Sequence, residues 1–192
     1  MVPATFTNFF LATSSGGAAL IGLLFVATSI SPERVFSAKA SPELTAVATS
    51  AFTALTNAFF ISTAGLIPGT HIGDVAVALA LVGALNSLSL GRRLAQSRWE
   101  NRRSYTTSRL WLRIVRDLVL VIGSLITYLL ELTTAIQLIN NPGNPQRPAP
   151  ALYTLATLIL VVYALGLLRA WELLGARRGG LPAPQSLPPG SR

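Results

Sequence analysis

Residues 118–139 read LVLVIGSLITYLLELTTAIQLI, and Glu131 is the one charged side chain among them. A helix on the surface of a soluble domain carries a polar face opposite its apolar stripe. This stretch has no charged face, and it is longer than a core helix needs to be. About 20 apolar residues at 1.5 Å rise cross a ~30 Å hydrocarbon layer. The segment is therefore predicted to be a membrane-spanning helix. Upstream, Arg109, Arg113, Arg116 and Asp117 belong in the headgroup region or in water, which puts the span at about 114–139.

Four further runs have the same character, at about 6–30, 43–67, 72–91 and 151–170. Their ends carry recognisable stop and start signals. Ser31-Pro32 closes the first, because the residue before a proline is pushed out of the α region. Ser41-Pro42-Glu43 opens the second, with a capping residue, a first-turn proline and an acid near the positive dipole end. Pro68-Gly69-Thr70 is a tight turn, so the second and third runs form an antiparallel hairpin. Tyr153 and Trp171 suit the two interfaces of the fifth. The first seven residues hold no Lys or Arg, so the first run is read as a retained helix rather than a signal peptide. Continuous runs of this length argue against a β-barrel, whose strands need only ~10 alternating residues. In lipid a helix satisfies its own backbone.

Composition agrees. Of 192 residues, 51% are hydrophobic and 11% charged, against about 25% charged in an ordinary soluble domain. Mean hydropathy is +0.55. The predicted fold is all-α, a polytopic membrane bundle of about five transmembrane helices over residues 1–178. The Pro/Gly/Ser-rich tail 179–192 is predicted to be disordered.

The net charge of +8 is unevenly placed. With five spans, Arg34 and Lys39, the basic stretch 92–109 and the C-terminal Arg169, Arg177, Arg178 and Arg192 all fall on one side. The other side holds only Arg147. The positive-inside rule makes the crowded side cytoplasmic, with the N-terminus outside and the C-terminus inside. Four or six spans would scatter these arginines. Arg92, Arg93, Arg98, Arg102, Arg103 and Arg109, with Trp99 and Trp111, read as an interfacial collar on anionic lipid headgroups. That placement accounts for the charges without nucleic acid. Arg109, Arg113 and Arg116 precede an apolar span rather than lying in one, unlike a voltage-sensing stripe.

Glu131 is the main candidate for chemistry. It lies thirteen residues past Leu118 and eight before Ile139, at a depth where a carboxylate costs about 2.5–3.5 kcal/mol on insertion scales. Such residues face the bundle interior or a wet cavity, and they often serve an ion, a proton or a substrate. Ser124, Thr127, Tyr128 and Thr134 lie on or beside the same face. The second run carries Thr45, Thr49, Thr53 and Asn57 at four-residue spacing, one ridge of a helix. This ridge suits a permeation groove or a close helix–helix contact. Asn86 is a candidate hydrogen-bond partner for Asn57 or Glu131. The ion or proton pathway under consideration thus comprises Glu131, Tyr128, Thr127, Asn57, Asn86, Thr53 and Thr49. The competing reading is that Glu131 is neutral and holds helices together. In the first run, the pairs Ser15/Ala19 and Ala18/Gly22 would let backbones approach, within the bundle or between protomers.

Zero cysteines leave no disulfide framework and no thiolate metal site. His71, the single histidine, sits in the short turn beside Asp74 and lacks a second ligand. No phosphate loop, GxSxG elbow, HExxH or carboxylate pair is found, which disfavours an enzyme. No metal and no cofactor are expected.

The stretch Ala18-Ala19-Leu20-Ile21-Gly22-Leu23-Leu24-Phe25-Val26-Ala27, closed by Ser29-Ile30, resembles the first helix of small multi-pass bacterial membrane proteins without an assigned function. The resemblance covers about one helix and consists of common membrane residues. It implies a bacterial inner-membrane location and carries over no site. The expected function is that of a non-catalytic membrane scaffold or accessory subunit. The alternative is a homo-oligomeric ion channel or small transporter built on the in-membrane carboxylate. Expected partners are membrane lipids and either a second copy of the chain or another membrane protein.

Overall fold

The computed structural model describes residues 2–30, 42–100, 107–141 and 150–178, and no strand occurs among them. A single 3-10 turn, Ala4–Phe6, leads into α1 (Thr7–Ser29). Then follow α2 (Pro42–Leu66), α3 (Ile72–Glu100), α4 (Thr107–Asn140) and α5 (Pro150–Arg178). Five stretches are long and apolar enough to cross a membrane: Ala4–Ser29, Thr45–Leu66, Ile72–Arg93, Leu118–Asn140 and Pro150–Leu173. This is the make-up of a multi-pass membrane protein.

The helix ends follow local chemistry. Pro42 takes the first position of α2, where its missing N–H has no partner to lose. Between α2 and α3 the Thr70 amide donates to the Ile67 carbonyl at 3.3 Å. Gly69 takes φ of 79° there, the left-handed conformation that a type II turn requires after Pro68. Asp74 occupies the first turn of α3, at the positive end of the dipole.

One expectation is corrected. The basic stretch 92–109 is not a loop throughout: α3 continues to Glu100 and α4 begins at Thr107. Residues 92–100 are mostly Arg, Leu, Ala, Gln and Glu, which propagate a helix readily once the membrane span has nucleated it. The tail 179–192, read as disordered, lies outside the described residues, as do Arg34, Lys39, Arg102, Arg103 and Arg147.

The helices α2, α3, α4 and α5 form a closed ring in which each packs on the next and α5 returns to α2. In this ring α2 and α4 stand diagonally opposite. Small side chains set the close approaches. On α3, Gly73, Ala76, Ala80, Gly83 and Ser87 recur at intervals of three and four residues and are buried, so they form one stripe. A Cβ on Gly73 would stand 3.1 Å from the Ala135 carbonyl oxygen of α4. The Tyr128 ring of α4 occupies the space that a Gly83 side chain would need.

Helix α1 packs outside the ring, against α2. It buries only Phe10, Gly17, Leu24 and Thr28. The Phe10 ring fills the space above Gly65, its nearest atoms 2.8 Å from where a Cβ would stand. The Tyr163 hydroxyl of α5 donates to the Thr13 carbonyl at 2.7 Å and sits where a Gly17 side chain would lie. Ser14 and Thr63 share a hydrogen bond of 3.0 Å. The pairs Ser15/Ala19 and Ala18/Gly22 are exposed, so neither pair mediates packing within the chain. The reason is angular: the face that meets α2 carries Phe10, Gly17 and Leu24 at seven-residue intervals, and the small pairs lie off it.

Polarity runs inward. Leu23, Phe25, Leu85, Val119, Leu160 and Leu168 are each more than half exposed, whereas Asn57, Ser62, Ser87, Ser124, Glu131 and Arg169 are buried. A soluble domain shows the opposite pattern. In hydrocarbon the arrangement is the favourable one, because polar groups find partners only inside the bundle.

Candidate functional site

Glu131 projects from α4 into the centre of the ring and is 1% exposed. Its Oε1 accepts a hydrogen bond of 3.0 Å from Asn57 Nδ2 on α2. Because α2 and α4 face each other diagonally, this bond ties the two sides of the ring across its middle. Asn57 is itself buried, and its Oδ1 has no hydrogen-bond partner.

One turn nearer the arginine-rich end of α4 lies Tyr128, buried and within electrostatic reach of both Glu131 and Arg169. A further turn along is Ser124. Ser124, Tyr128 and Glu131 are spaced by four and three residues, so they stack on one helix face. The Ser124 hydroxyl donates to the Leu120 carbonyl at 2.6 Å. Against this pair rests Arg169 of α5, 3% exposed. Its Nη2 donates to the Leu120 carbonyl at 3.0 Å and to Ser124 Oγ at 2.6 Å. Arg169 Nη1 is buried and has no hydrogen-bond partner.

From the sequence Arg169 is expected on the basic aqueous side. The structure corrects this: Arg169 lies at that end of the bundle but points inward, between α4 and α5. It occurs four residues before the end of the fifth span. At that depth a long side chain can reach either water or the interior, and the sequence carries no signal that decides between them. The interior thus contains two residues of opposite formal charge, Glu131 on α4 and Arg169 on α5, and Ser124, which Arg169 contacts, stands seven residues from Glu131 along α4, a rise of ~10 Å.

The other proposed pathway residues divide into separate places. Asn86 donates to Thr53 Oγ1 at 3.1 Å, linking α3 to α2. Its partner is thus neither Asn57 nor Glu131. Thr127 is buried, but its hydroxyl returns to the Gly123 carbonyl of its own helix at 2.8 Å. Thr49 is exposed and bonds the Thr45 carbonyl, and Thr53 bonds the Thr49 carbonyl, each at 2.9 Å. The predicted ridge on α2 therefore does not form one inward wall. Asn57 reaches the centre, Thr53 lies at the α3 boundary and Thr49 faces outward. A four-residue spacing advances 400° around the helix, so successive members drift by about 40° and leave the face.

Of the collar, Arg92 and Arg93 are exposed. Arg98 and Trp99 lie on the extension of α3, and Arg109 and Trp111 on that of α4. His71 is exposed in the turn. Among the described residues no three His, Asp or Glu side chains gather to hold a metal ion.

The site can clasp helices, and it contains a carboxyl group able to bind and release a proton. Comparison with protein-family models, with curated proteins and with solved structures finds no match for this chain.

Proposed function

We propose that the protein is a non-catalytic membrane scaffold or accessory subunit. One observation carries this reading: Glu131, the buried acidic group among the described residues, is engaged with Asn57 as a clasp across the ring. Ser14–Thr63 and Asn86–Thr53 likewise join neighbouring helices. The outward pairs Ser15/Ala19 and Ala18/Gly22 of α1 suit a close approach by another membrane helix. A photo-cross-linking residue at Ala18 is expected to join the chain, in its native membrane, to a second membrane protein of discrete mass. Adducts with lipid or with the chain alone would count against an accessory role.

In this proposal the arginine-rich end faces the cytoplasm and its collar lies on anionic headgroups, in a bacterial inner membrane. The support is that Arg92 and Arg93, the start of the fourth span and the end of the fifth all lie at one end of the bundle. Reporter tags after Glu100 should be read as cytoplasmic and tags after Gly69 as external. The reverse pattern would overturn the orientation.

A second reading, an ion channel or small transporter, is favoured by a separate observation. Two side chains of opposite formal charge, Glu131 and Arg169, are buried within the spans. In proteoliposomes this reading expects proton or cation flux that Glu131→Gln abolishes. An identical flux in that variant, or no flux in either protein, would exclude it.

A further inference from the structure

We propose that Glu131 exchanges a proton with the arginine-rich end of the bundle along a hydrated row formed by Tyr128, Ser124 and Arg169. The proposal rests on the second functional reading, and it assigns that reading its route and its ion.

The row has a physical basis. Ser124, Tyr128 and Glu131 share one face of α4, and Tyr128 stands one turn from the group on either side of it. At the deep end Asn57 Oδ1, a buried acceptor, has no partner, and at the shallow end Arg169 Nη1, a buried donor, has none. Leaving such atoms dry costs about 1–3 kcal/mol each. The two orphans differ in kind. An anion would satisfy Arg169 and repel the Asn57 oxygen, whereas a cation would do the reverse. Water both donates and accepts, so it suits both ends. The tyrosine hydroxyl also donates and accepts, which lets it join a hydrogen-bonded file. Arg169, always protonated, cannot itself take up the proton. It orients the file through Nη1.

The proton balance is simple. A proton leaving the Glu131 carboxyl passes to the neighbouring oxygen of the file, which releases its own proton to the next. One proton emerges at the arginine-rich end, and Glu131 remains as a carboxylate that accepts from Asn57 Nδ2. No other group changes its net protonation.

The test uses the full chain in liposomes of phosphatidylcholine and phosphatidylglycerol, observed by infrared spectroscopy while H2O buffer is exchanged for D2O. Glu131→Gln should remove a protonated-carboxyl band, which assigns it. Tyr128→Phe, which keeps the ring over Gly83, should slow deuteration of that band by about tenfold, the rate equivalent of one lost hydrogen bond. Arg169→Gln should slow it similarly. Tyr163→Phe, outside the row, should leave the rate unchanged. Unaltered exchange in both row variants would overturn the proposal, as would the absence of any band assignable to Glu131. Slowed exchange without flux would overturn transport while leaving the row intact. Flux lost in Glu131→Gln, with exchange indifferent to Tyr128, would overturn the row alone.

Discussion

Asn57→Leu is expected to lower the unfolding free energy of the bundle by about 2–3 kcal/mol, more than an average side-chain hydrogen bond within a membrane contributes. The excess arises from what remains. Glu131, 1% exposed, would lose its Asn57 donor and keep its place at the centre of the ring. A buried charged or polar group left without its partner costs its desolvation as well as its bond. Replacing both partners removes that penalty, so Asn57→Leu with Glu131→Leu should recover most of the loss. Glu131→Gln should be the mildest change, since the amide oxygen can still accept from Asn57 Nδ2. The measurement is reversible unfolding in mixed micelles for the four proteins of this double-mutant cycle, with Glu131→Gln alongside. An Asn57→Leu variant within about 0.5 kcal/mol of the parent would show that the clasp does not hold the ring. The mild effect of Glu131→Gln also lets the flux assay be read as chemistry rather than misfolding.

Gly83→Val should destabilise by about 1–3 kcal/mol, the usual range for forcing methyl groups into a filled interior. Two effects oppose each other here. Valine is the better helix former by a few tenths of a kcal/mol, and on an open helix face it would stabilise. At Gly83 the space is taken by the ring of Tyr128, a buried side chain of the facing helix. Either α3 moves away from α4 along its small-residue stripe, or the ring turns out of the row that leads to Glu131. Packing therefore outweighs propensity and sets the sign. Tyr128→Leu in the same chain should restore part of the loss by vacating the space. A Gly83→Val protein as stable as the parent would mean that the ring is not seated on α3. Gly16, with open space around it, is the natural control. Valine there should cost little or slightly stabilise.

The five spans are legible in the sequence because the governing physics is local. Twenty apolar residues in sequence can satisfy their backbone in lipid only as a helix. The turn at Pro68-Gly69 was legible for the same reason: its dihedral requirement is carried by the residues themselves. The inward aim of Glu131 followed from the cost of exposing a carboxyl group to hydrocarbon. The stripe from Gly73 to Ser87 also left a trace, small residues at three- and four-residue spacing. The small residues of α1 have the same kind of spacing yet face outward.

Partnership was a different matter. Asn57 and Asn86 are chemically identical, and from the sequence Asn86 is the candidate partner for Asn57 or Glu131. The order of helices in the ring places Asn57 across from Glu131 and leaves Asn86 beside Thr53. Arg169 likewise has an ordinary place near the end of an apolar run, and only the packing of α5 on α4 turns it toward Ser124. Chain chemistry alone decides what each segment must be, because solvation and backbone preference act within a few residues. Which buried groups meet depends on the rotation of each helix about its axis and on its neighbours. Those are set by the interlocking of all five helices at once, and no single segment contains them.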